Sequence, residues 1–308
     1  MLEFYKTIDK QLVKLDHIED NCWINLVAPT EEEVNHVIET LNVDSGFMRA
    51  GLDEEETSRV EKEDDQTLIV VDLPLAQSEG ESVVYSTIPM AMILAGKNII
   101  TVCLKETSII KEFSQSLVKN VETAHRNRFI LQMQYKIANR YLQYLKQIDK
   151  ISLYVEKKLH KSMRNKELIQ LLELEKSLVY FSTSLKANEV TLEKVLRGRI
   201  IKLYDEDQDL LEDVLIEVKQ AIEMSNIYSN ILSGTMDAFA SIISNNLNIV
   251  MKVLASITIL MAIPTIISSF YGMNVDNIPL AGSFWYPVIL AIVGTAIGGF
   301  WLQKKGML

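Results

Sequence analysis

The stretch VLASITILMAIPTIISSFYGMN, residues 253–274, decides what kind of chain this is. From Val253 to Phe270 it carries no charge. At about 1.5 Å of rise per residue, a helix of this length approaches the roughly 30 Å hydrocarbon core of a bilayer. A second stretch, FWYPVILAIVGTAIGGFWL over residues 284–302, is equally uncharged. The residues between them, 272–283, are too few to fold as a domain, so the two stretches pair as a tight hairpin. One span is enough for an anchor. Two spans together imply that the chain uses the membrane for more than attachment.

Everything before residue 249 reads as water-soluble. The chain has 308 residues, a net charge of −10, 23% charged and 48% hydrophobic residues. This is length enough to bury a sizeable core. Net acidity argues against nucleic acid as a partner and suits cations. Cys22 and Cys103 are far apart, and none of His17, His36, His125 and His160 pairs with another at helical spacing. The cysteines therefore read as reduced, and no zinc site is expected. Residues Met1 to Lys6 lack a long apolar run, so no secretory signal is expected. Residues 1–200 contain no recognisable nucleophile–base pair, phosphate loop or metal cluster, so the chain is not read as an enzyme.

Residues 1–104 read as a mixed α/β domain. Leu2–Ile8, Cys22–Val27, Leu68–Leu73, Val83–Ile88 and Ile99–Leu104 are short runs rich in β-branched and aromatic residues. Thr30 followed by Glu33 forms a capping box, and Val34, Val37, Ile38 and Leu41 continue it as one apolar helical face. The acidic clusters Glu54–Glu56 and Glu63–Asp65 read as solvated. Residues 105–204 read as a helical hairpin region. Phe129, Met133, Ile137, Tyr141, Tyr144, Ile148 and Ile151 recur at helical steps, as do Leu168, Leu171, Leu172, Leu178 and Phe181. Arg164–Lys166 and Lys186–Asn188 are the expected reversals.

Residues 205–270 read as one stalk helix continuing into the first span at about 249–271. No proline interrupts it before Pro264, and Gly234 is its only glycine. Leu211, Val214, Val218, Ala221, Leu232, Phe239 and Ile242 approximate a 3.5-residue repeat, with Ser225, Tyr228 and Thr235 between them. This predicts a coiled-coil-like seam suited to oligomerisation, on a helix that passes movement to the span.

Lys252 precedes the first span, Lys304 and Lys305 follow the second, and the loop between holds Asp276 and no basic residue. The positive-inside rule places both termini, including the tail 304–308, in the cytoplasm of a cell with this chain in its inner membrane. Tyr271, Phe284, Trp285 and Tyr286 form an outer aromatic belt, and Trp301 an inner one. The second span, 284–303, carries the small-residue packing motif Gly294–Gly298, extended by Gly299. In the first span Thr258, Ala262, Thr265 and Ser269 share a face that continues through Leu254, Met251 and Asn248. Such a face either packs closely against another helix, with its hydroxyls bonded back to their own carbonyls, or lines a pore. A pore requires several copies in a ring. Pro264 removes a backbone donor and predicts a kink.

The run Tyr271-Gly272-Met273-Asn274 after a first span, with a second span close behind and a long acidic N-terminal domain, resembles the CorA-type magnesium transporter family. The segment Asn248–Leu254 is similar to that family's approach to the membrane. The resemblance implies an α+β cytosolic domain, an α/β/α sandwich plus long helices, whose stalk helix runs into a two-helix C-terminal transmembrane hairpin. It implies a homopentamer in the lipid bilayer, with the first span of each copy lining the pore. Gly272, Met273 and Asn274 are then the selectivity motif. Gly272 lets the backbone turn, Met273 packs, and a ring of Asn274 oxygens accepts hydrogen bonds from the waters of hydrated Mg2+. Met251 and Leu254 form apolar constrictions, and Asn248 a polar ring. The resemblance further implies a regulatory Mg2+ between subunits at Asp213, with Glu212, Glu217 and Asp237 as further candidates, and no organic cofactor. Function follows as Mg2+ uptake down the electrochemical gradient, gated by cytosolic Mg2+. The loop 275–282 departs from the usual acidic run, holding only Asp276, and looks like that of the zinc-transporting ZntB branch. The alternative substrates are therefore Zn2+, Co2+ or Ni2+ on the same fold.

Overall fold

The computed structural model describes all residues except 80, 81, 163, 164, 199, 202, 275–278, 281 and 308. Two compact units emerge, Met1–Gly234 and Thr235–Leu308.

The first unit is built on a seven-stranded sheet. Its strands are β1 (Leu2–Ile8), β2 (Gln11–Leu15), β3 (Trp23–Val27), β4 (Arg59–Glu63), β5 (Gln66–Glu79), β6 (Ser82–Ala95) and β7 (Asn98–Cys103), in the order β2-β1-β3-β7-β6-β5-β4. Only β3 and β7 pair in parallel; the other neighbours are antiparallel. Side chains alternate between faces along a strand, and here both faces are covered. Ile24, Leu26, Ile100 and Val102 join α1 (Glu31–Leu41) and α2 (Ser45–Ala50) in one core. Trp23, Val27, Ile99 and Cys103 join the long helices in the other. These central strands therefore read as continuous apolar runs rather than alternating ones. The result is the expected α/β/α sandwich. Both cysteines are buried, and desolvation pushes the Cys103 thiol up to about 11.

The capping box forms as read: the Glu33 amide donates to Thr30 Oγ1, and the Glu33 carboxylate accepts from the Thr30 amide. Strands β2 and β4 were not legible in the sequence. Both are five-residue edge strands, at opposite ends of the sheet order. Charged residues on short edge strands guard against pairing with other chains, and in β4 they erase the apolar signature.

The second layer holds α3 (Ser108–Ser114), α4 (Arg126–Ser162), α5 (Asn165–Gly198) and the first part of α6 (Asp205–Tyr271). Phe129, Met133, Ile137, Tyr141 and Ile148 of α4 and Leu171, Leu178 and Phe181 of α5 are buried as read, but Leu172 is exposed. Tyr141 and Phe181 meet edge to face at 5.0 Å. The reversal expected at Lys186–Asn188 does not occur; these residues lie inside α5. Asn188 is buried there because the sheet uses it. Pairing of β4 with β5 ends at Arg59–Val70. Two residues on, the Asn188 amide donates to the Asp72 carbonyl at 2.9 Å, while its Oδ1 accepts from the Asp72 amide at 2.9 Å and the Ser58 hydroxyl at 2.8 Å. One side chain thus supplies the acceptor and donor that a further residue of β4 would have brought. Tyr141 Oη also donates to the Asp72 carbonyl, at 3.0 Å.

The seam on α6 also needs correction. Leu211, Val214, Val218, Ala221 and Leu232 belong to the chain's own core, and buried Ser225 donates to the Leu178 carbonyl of α5 at 2.8 Å. Over Asp205–Gly234 this stripe is consumed within one copy and is not free to hold another. Its diluted repeat serves an intramolecular helix layer, where polar Ser225 is tolerated because its hydroxyl is satisfied.

The second unit contains the remainder of α6 and α7 (Trp285–Lys304). Among the described residues, these are the two helices long and apolar enough to cross a membrane, with mean hydropathy of 2.1 and 1.6 over their most apolar stretches, of which only 6% is buried. In water such exposure would be untenable; in lipid it is what the bilayer selects.

Candidate functional site

One stripe of α6 faces α7. Ser256 is buried, and Leu260, Ile263, Pro264, Ile267 and Tyr271 are half-buried, at steps of one helical face. The glycines of α7 make this contact possible. A Cβ on Gly298 would lie 2.8 Å from Ile263 Cδ1, and one on Gly294 would lie 3.1 Å from Ile263 Cγ2. The Gly294–Gly298 motif is therefore occupied by the chain's own first span, as small-residue motifs allow. It is not free to dimerise two copies. Ser256 Oγ donates to the Met307 carbonyl at 2.9 Å, closing the end of the hairpin opposite the Gly272–Asn274 turn. The sequence reading missed Ser256 and this stripe, although steps of four, three and four from Ser256 to Ile267 carried the signal.

At about 100° per residue, Met251, Leu254, Thr258, Ala262, Thr265 and Ser269 project roughly half a turn away from the stripe on α7. All six are exposed, as is Asn248. The hairpin thus has a packed side and, opposite it, the face read as a pore lining. Thr258 Oγ1 donates to the Leu254 carbonyl at 2.8 Å and Thr265 Oγ1 to the Met261 carbonyl at 2.9 Å. Their hydroxyl protons are committed to the helix, so the oxygens present lone pairs outward. Pro264 sits inside α6 without ending it.

The tripeptide Gly272-Met273-Asn274 begins where the helix stops. The Gly272 amide donates to the Ser268 and Ser269 carbonyls at 3.0 and 3.2 Å, and the Met273 amide to the Phe270 carbonyl at 3.3 Å. Gly272 makes the turn expected at the helix end, without adopting a left-handed conformation. A Cβ there would lie 3.3 Å from the Ser268 carbonyl oxygen, one turn back on its own helix. Met273 and Asn274 are exposed beyond the helix end. The C-terminal end of a helix carries partial negative charge, which favours a cation nearby. Tyr271 and Tyr286 meet at 6.2 Å, Phe284 and Trp285 at 5.7 Å, and Lys305 lies 5.9 Å from the Trp301 ring. Asp276 lies outside the described residues.

The carboxylates read as regulatory are not brought together. Asp213 and Glu212 are exposed and Glu217 half-buried, on the part of α6 whose opposite face enters the core. Glu212 accepts from Gln208 Nε2 at 3.3 Å, and Asp213 has no hydrogen-bond or ion-pair partner among the described residues. Asp213 and Glu217 are one turn apart, whereas Asp237 lies far along the helix and is exposed. Among the described residues, no group of three or more His, Cys, Asp or Glu side chains could hold a metal ion.

The profile of the family described as CorA-like Mg2+ transporter protein matches residues 19–305. The chain belongs to this family. It is 28% identical over 304 residues, 95% of its own length and 94% of the relative's, to the cobalt/magnesium transport protein CorA of Methanocaldococcus jannaschii. The complete structure of the CorA magnesium transporter from that organism superposes with a TM-score of 0.85 at 25% identity, covering 100% of this chain and 99% of the other. The ZntB cytoplasmic domain from Vibrio parahaemolyticus shares the fold alone, with a TM-score of 0.61 at 12% identity over 80% of this chain and 97% of that one. As a CorA-family member, the protein is a membrane-embedded divalent-cation transporter with a soluble α/β domain, a long helix and two C-terminal apolar helices.

Proposed function

We propose that this protein takes up Mg2+ down its electrochemical gradient through a pore at the axis of a ring of identical copies, a pentamer by family resemblance. The observation that carries this reading is the two-sidedness of the hairpin. The small and hydroxylic face of α6 points away from α7, so a ring with α7 outside turns that face inward. Mg2+ gives up its waters reluctantly. The Asn274 side-chain oxygens, aided by the negative helix ends of α6, accept hydrogen bonds from those waters and keep the hydration shell intact. Below them Ser269, Thr265, Ala262 and Thr258 line the path, the two threonines with acceptor lone pairs facing it. Leu254 and Met251 form an apolar constriction that closes by dewetting, and Asn248 a polar ring at the inner mouth. Lys252, Lys304 and Lys305 keep both ends of the hairpin on the cytoplasmic side of the cell membrane. The name of the curated relative, a cobalt/magnesium transport protein, supports Mg2+ and makes Co2+ the first competitor.

Gating follows from cytosolic Mg2+ held between copies at Asp213, with Glu217 one turn on. Mg2+ is commonly held by one or two carboxylates with waters completing its shell, so one chain need not supply three ligands. Loss of the ion leaves like charges facing each other and loosens the ring.

The deciding experiment is flux into liposomes containing the full chain, across Mg2+, Co2+, Ni2+ and Zn2+. Asn274→Ala abolishes the preference for Mg2+; unchanged flux and ion order in this variant would refute the assignment. Asp213→Ala removes the protection from protease that Mg2+ gives the parent, whereas equal protection of variant and parent would exclude Asp213 as the sensor.

A further inference from the structure

In the first unit a cavity of about 430 Å3 opens between the β1–β2 hairpin and the segment that joins α3 to α4. Leu12, Phe113, Val118 and Val121 give it an apolar floor, each of them buried or half-buried. Lys10, Gln11, Lys119 and Asn120 give it an exposed polar rim. Its two walls are tied together. Thr7 Oγ1 donates to the Val121 carbonyl at 3.0 Å, the Thr7 amide to Thr123 Oγ1 at 3.0 Å, and Ser116 Oγ to the Leu12 carbonyl at 3.3 Å. Gln132 Nε2 of α4 holds the Asn120 carbonyl at 3.1 Å. The shape is therefore set before any ligand arrives, which lowers the ordering cost of binding.

The charge of this cavity runs against that of the chain. The sequence has 41 acidic residues to 31 lysines and arginines, yet two lysines and no carboxylate line the cavity. Asp9 precedes Lys10 but is not part of the lining. Lysines close by in the chain are already spent. Lys6 pairs with Glu19 at 2.6 Å, Lys14 with Glu3 at 2.7 Å and Lys111 with Glu106 at 2.9 Å. Among the described residues, Lys10 and Lys119 have no ion-pair or hydrogen-bond partner, and the side-chain amides of Gln11 and Asn120 have none either. A few convergent polar groups around an apolar floor are the make-up of a small-molecule site.

We propose that this cavity binds a small phosphate ester of nucleotide size, with its phosphate at Lys10 and Lys119 and its organic body on the apolar floor. A phosphate monoester carries about −1.5 to −2 charges at pH 7, which two ammonium groups balance. Lysine binds phosphate as a point charge, and its three donors match the acceptor oxygens. The amides of Gln11 and Asn120 each offer a donor and an acceptor, the pattern that the edge of a base presents in return. Ligand cavities run from about 300 to 1,000 Å3, so this one takes a body larger than bare phosphate, which would leave Leu12, Phe113, Val118 and Val121 uncovered. A polynucleotide is the poorer fit. It needs many phosphate contacts, and the chain's net charge of −10 repels its backbone. The inference concerns the soluble unit and stands apart from the transport reading.

The experiment is isothermal titration calorimetry of the full chain in nanodiscs, at fixed free Mg2+, with AMP, GMP, CMP, UMP, adenosine and inorganic phosphate. The expected result is binding of at least one of the four nucleotides, one per chain, weakening as salt rises. Adenosine and inorganic phosphate bind at least several-fold more weakly than that nucleotide. Lys10→Gln and Lys119→Gln each weaken it by about tenfold, the loss expected for one hydrogen bond to a charged group. Lys111→Gln, whose ammonium is held by Glu106, leaves it unchanged. All three lysines are exposed, and thermal unfolding without ligand confirms that the variants fold as the parent does. No binding by any of the four nucleotides at about 1 mM overturns the proposal. Binding that both lysine variants retain in full places the ligand elsewhere and overturns it too. Inorganic phosphate binding as tightly as the nucleotides removes the organic body from the proposal, and adenosine doing so removes the phosphate; either result defeats it.

Discussion

Ile100 and Ile289 are the same side chain in opposite circumstances. Ile100, in β7, is completely buried between the sheet and the α1–α2 layer. Ile289, in α7, is 57% exposed on a helix with almost nothing packed against its far side. The unit Met1–Gly234 gathers its apolar surface into two cores and pairs buried polar groups such as Asn188 and Ser225 with partners distant in the chain. The unit Thr235–Leu308 displays apolar surface, and where its helices meet it sets half-buried glycines of α7 against Leu260 and Ile263 of α6. Exposure by itself has no fixed energetic sign; the solvent supplies the sign.

Two substitution pairs and one single substitution sharpen or break that contrast. The largest difference is expected from truncation. Ile100→Ala should cost about 2–5 kcal/mol, as other buried large-to-small changes do. Ile289→Ala should cost little, because lipid refills the space. Urea unfolding of the protein in nanodiscs, followed by Trp fluorescence, measures both; equal losses would mean that α7 packs on its far side as tightly as the core does. The second pair tests charge. Val293 and Val190 are comparably exposed, at 49% and 54%. Val293→Lys, near the middle of α7, should oppose insertion by about 2.5–3.5 kcal/mol. Val190→Lys, on α5, should stay within about 0.5 kcal/mol of the parent. Membrane fractionation reads the first and thermal unfolding the second. Comparable tolerance at both sites would remove α7 from the lipid.

The smallest effect concerns pH. Burial raises the Asp72 carboxyl above its ordinary value near 3.8, against the partial lowering by the Ser184 hydroxyl. Between that ordinary value and the raised one, the folded chain keeps a proton that the unfolded chain has released. Stability from this group therefore falls as pH rises through the window and stays lower above it. Asp72→Asn should be at least as stable as the parent at pH 7, with the advantage vanishing below the ordinary carboxylate range. An advantage that persists at low pH would assign the effect to something other than ionisation.

Much of this was legible in the residues. The capping box, five of the strands and the apolar steps of α4 appeared where local pattern and final environment agree. The pattern failed where a residue's partner is distant. Lys186–Asn188 looks like a reversal because Asn favours turns, yet Asn188 is held inside α5 by Asp72, far away in the chain. The stripe on α6 looked like an oligomer seam because a heptad-like repeat does not say which helix it meets. The face of α6 that includes Thr258 and Thr265 was legible as a candidate site, but its two readings were equally compatible with the residues. The contact of Leu260, Ile263 and Ile267 with α7 placed that face on the free side.

The order of residues by itself determined that this chain has two lipid-compatible helices, a Gly-Met-Asn turn between them and an α/β domain before them. Those properties depend on length, charge and period, which are local. Only the tertiary structure decided which side of α6 is spent on α7 and which remains open, because that depends on a Cβ absent from Gly298 meeting a methyl of Ile263. Contacts between residues distant in the chain have no signature in the spacing of either segment.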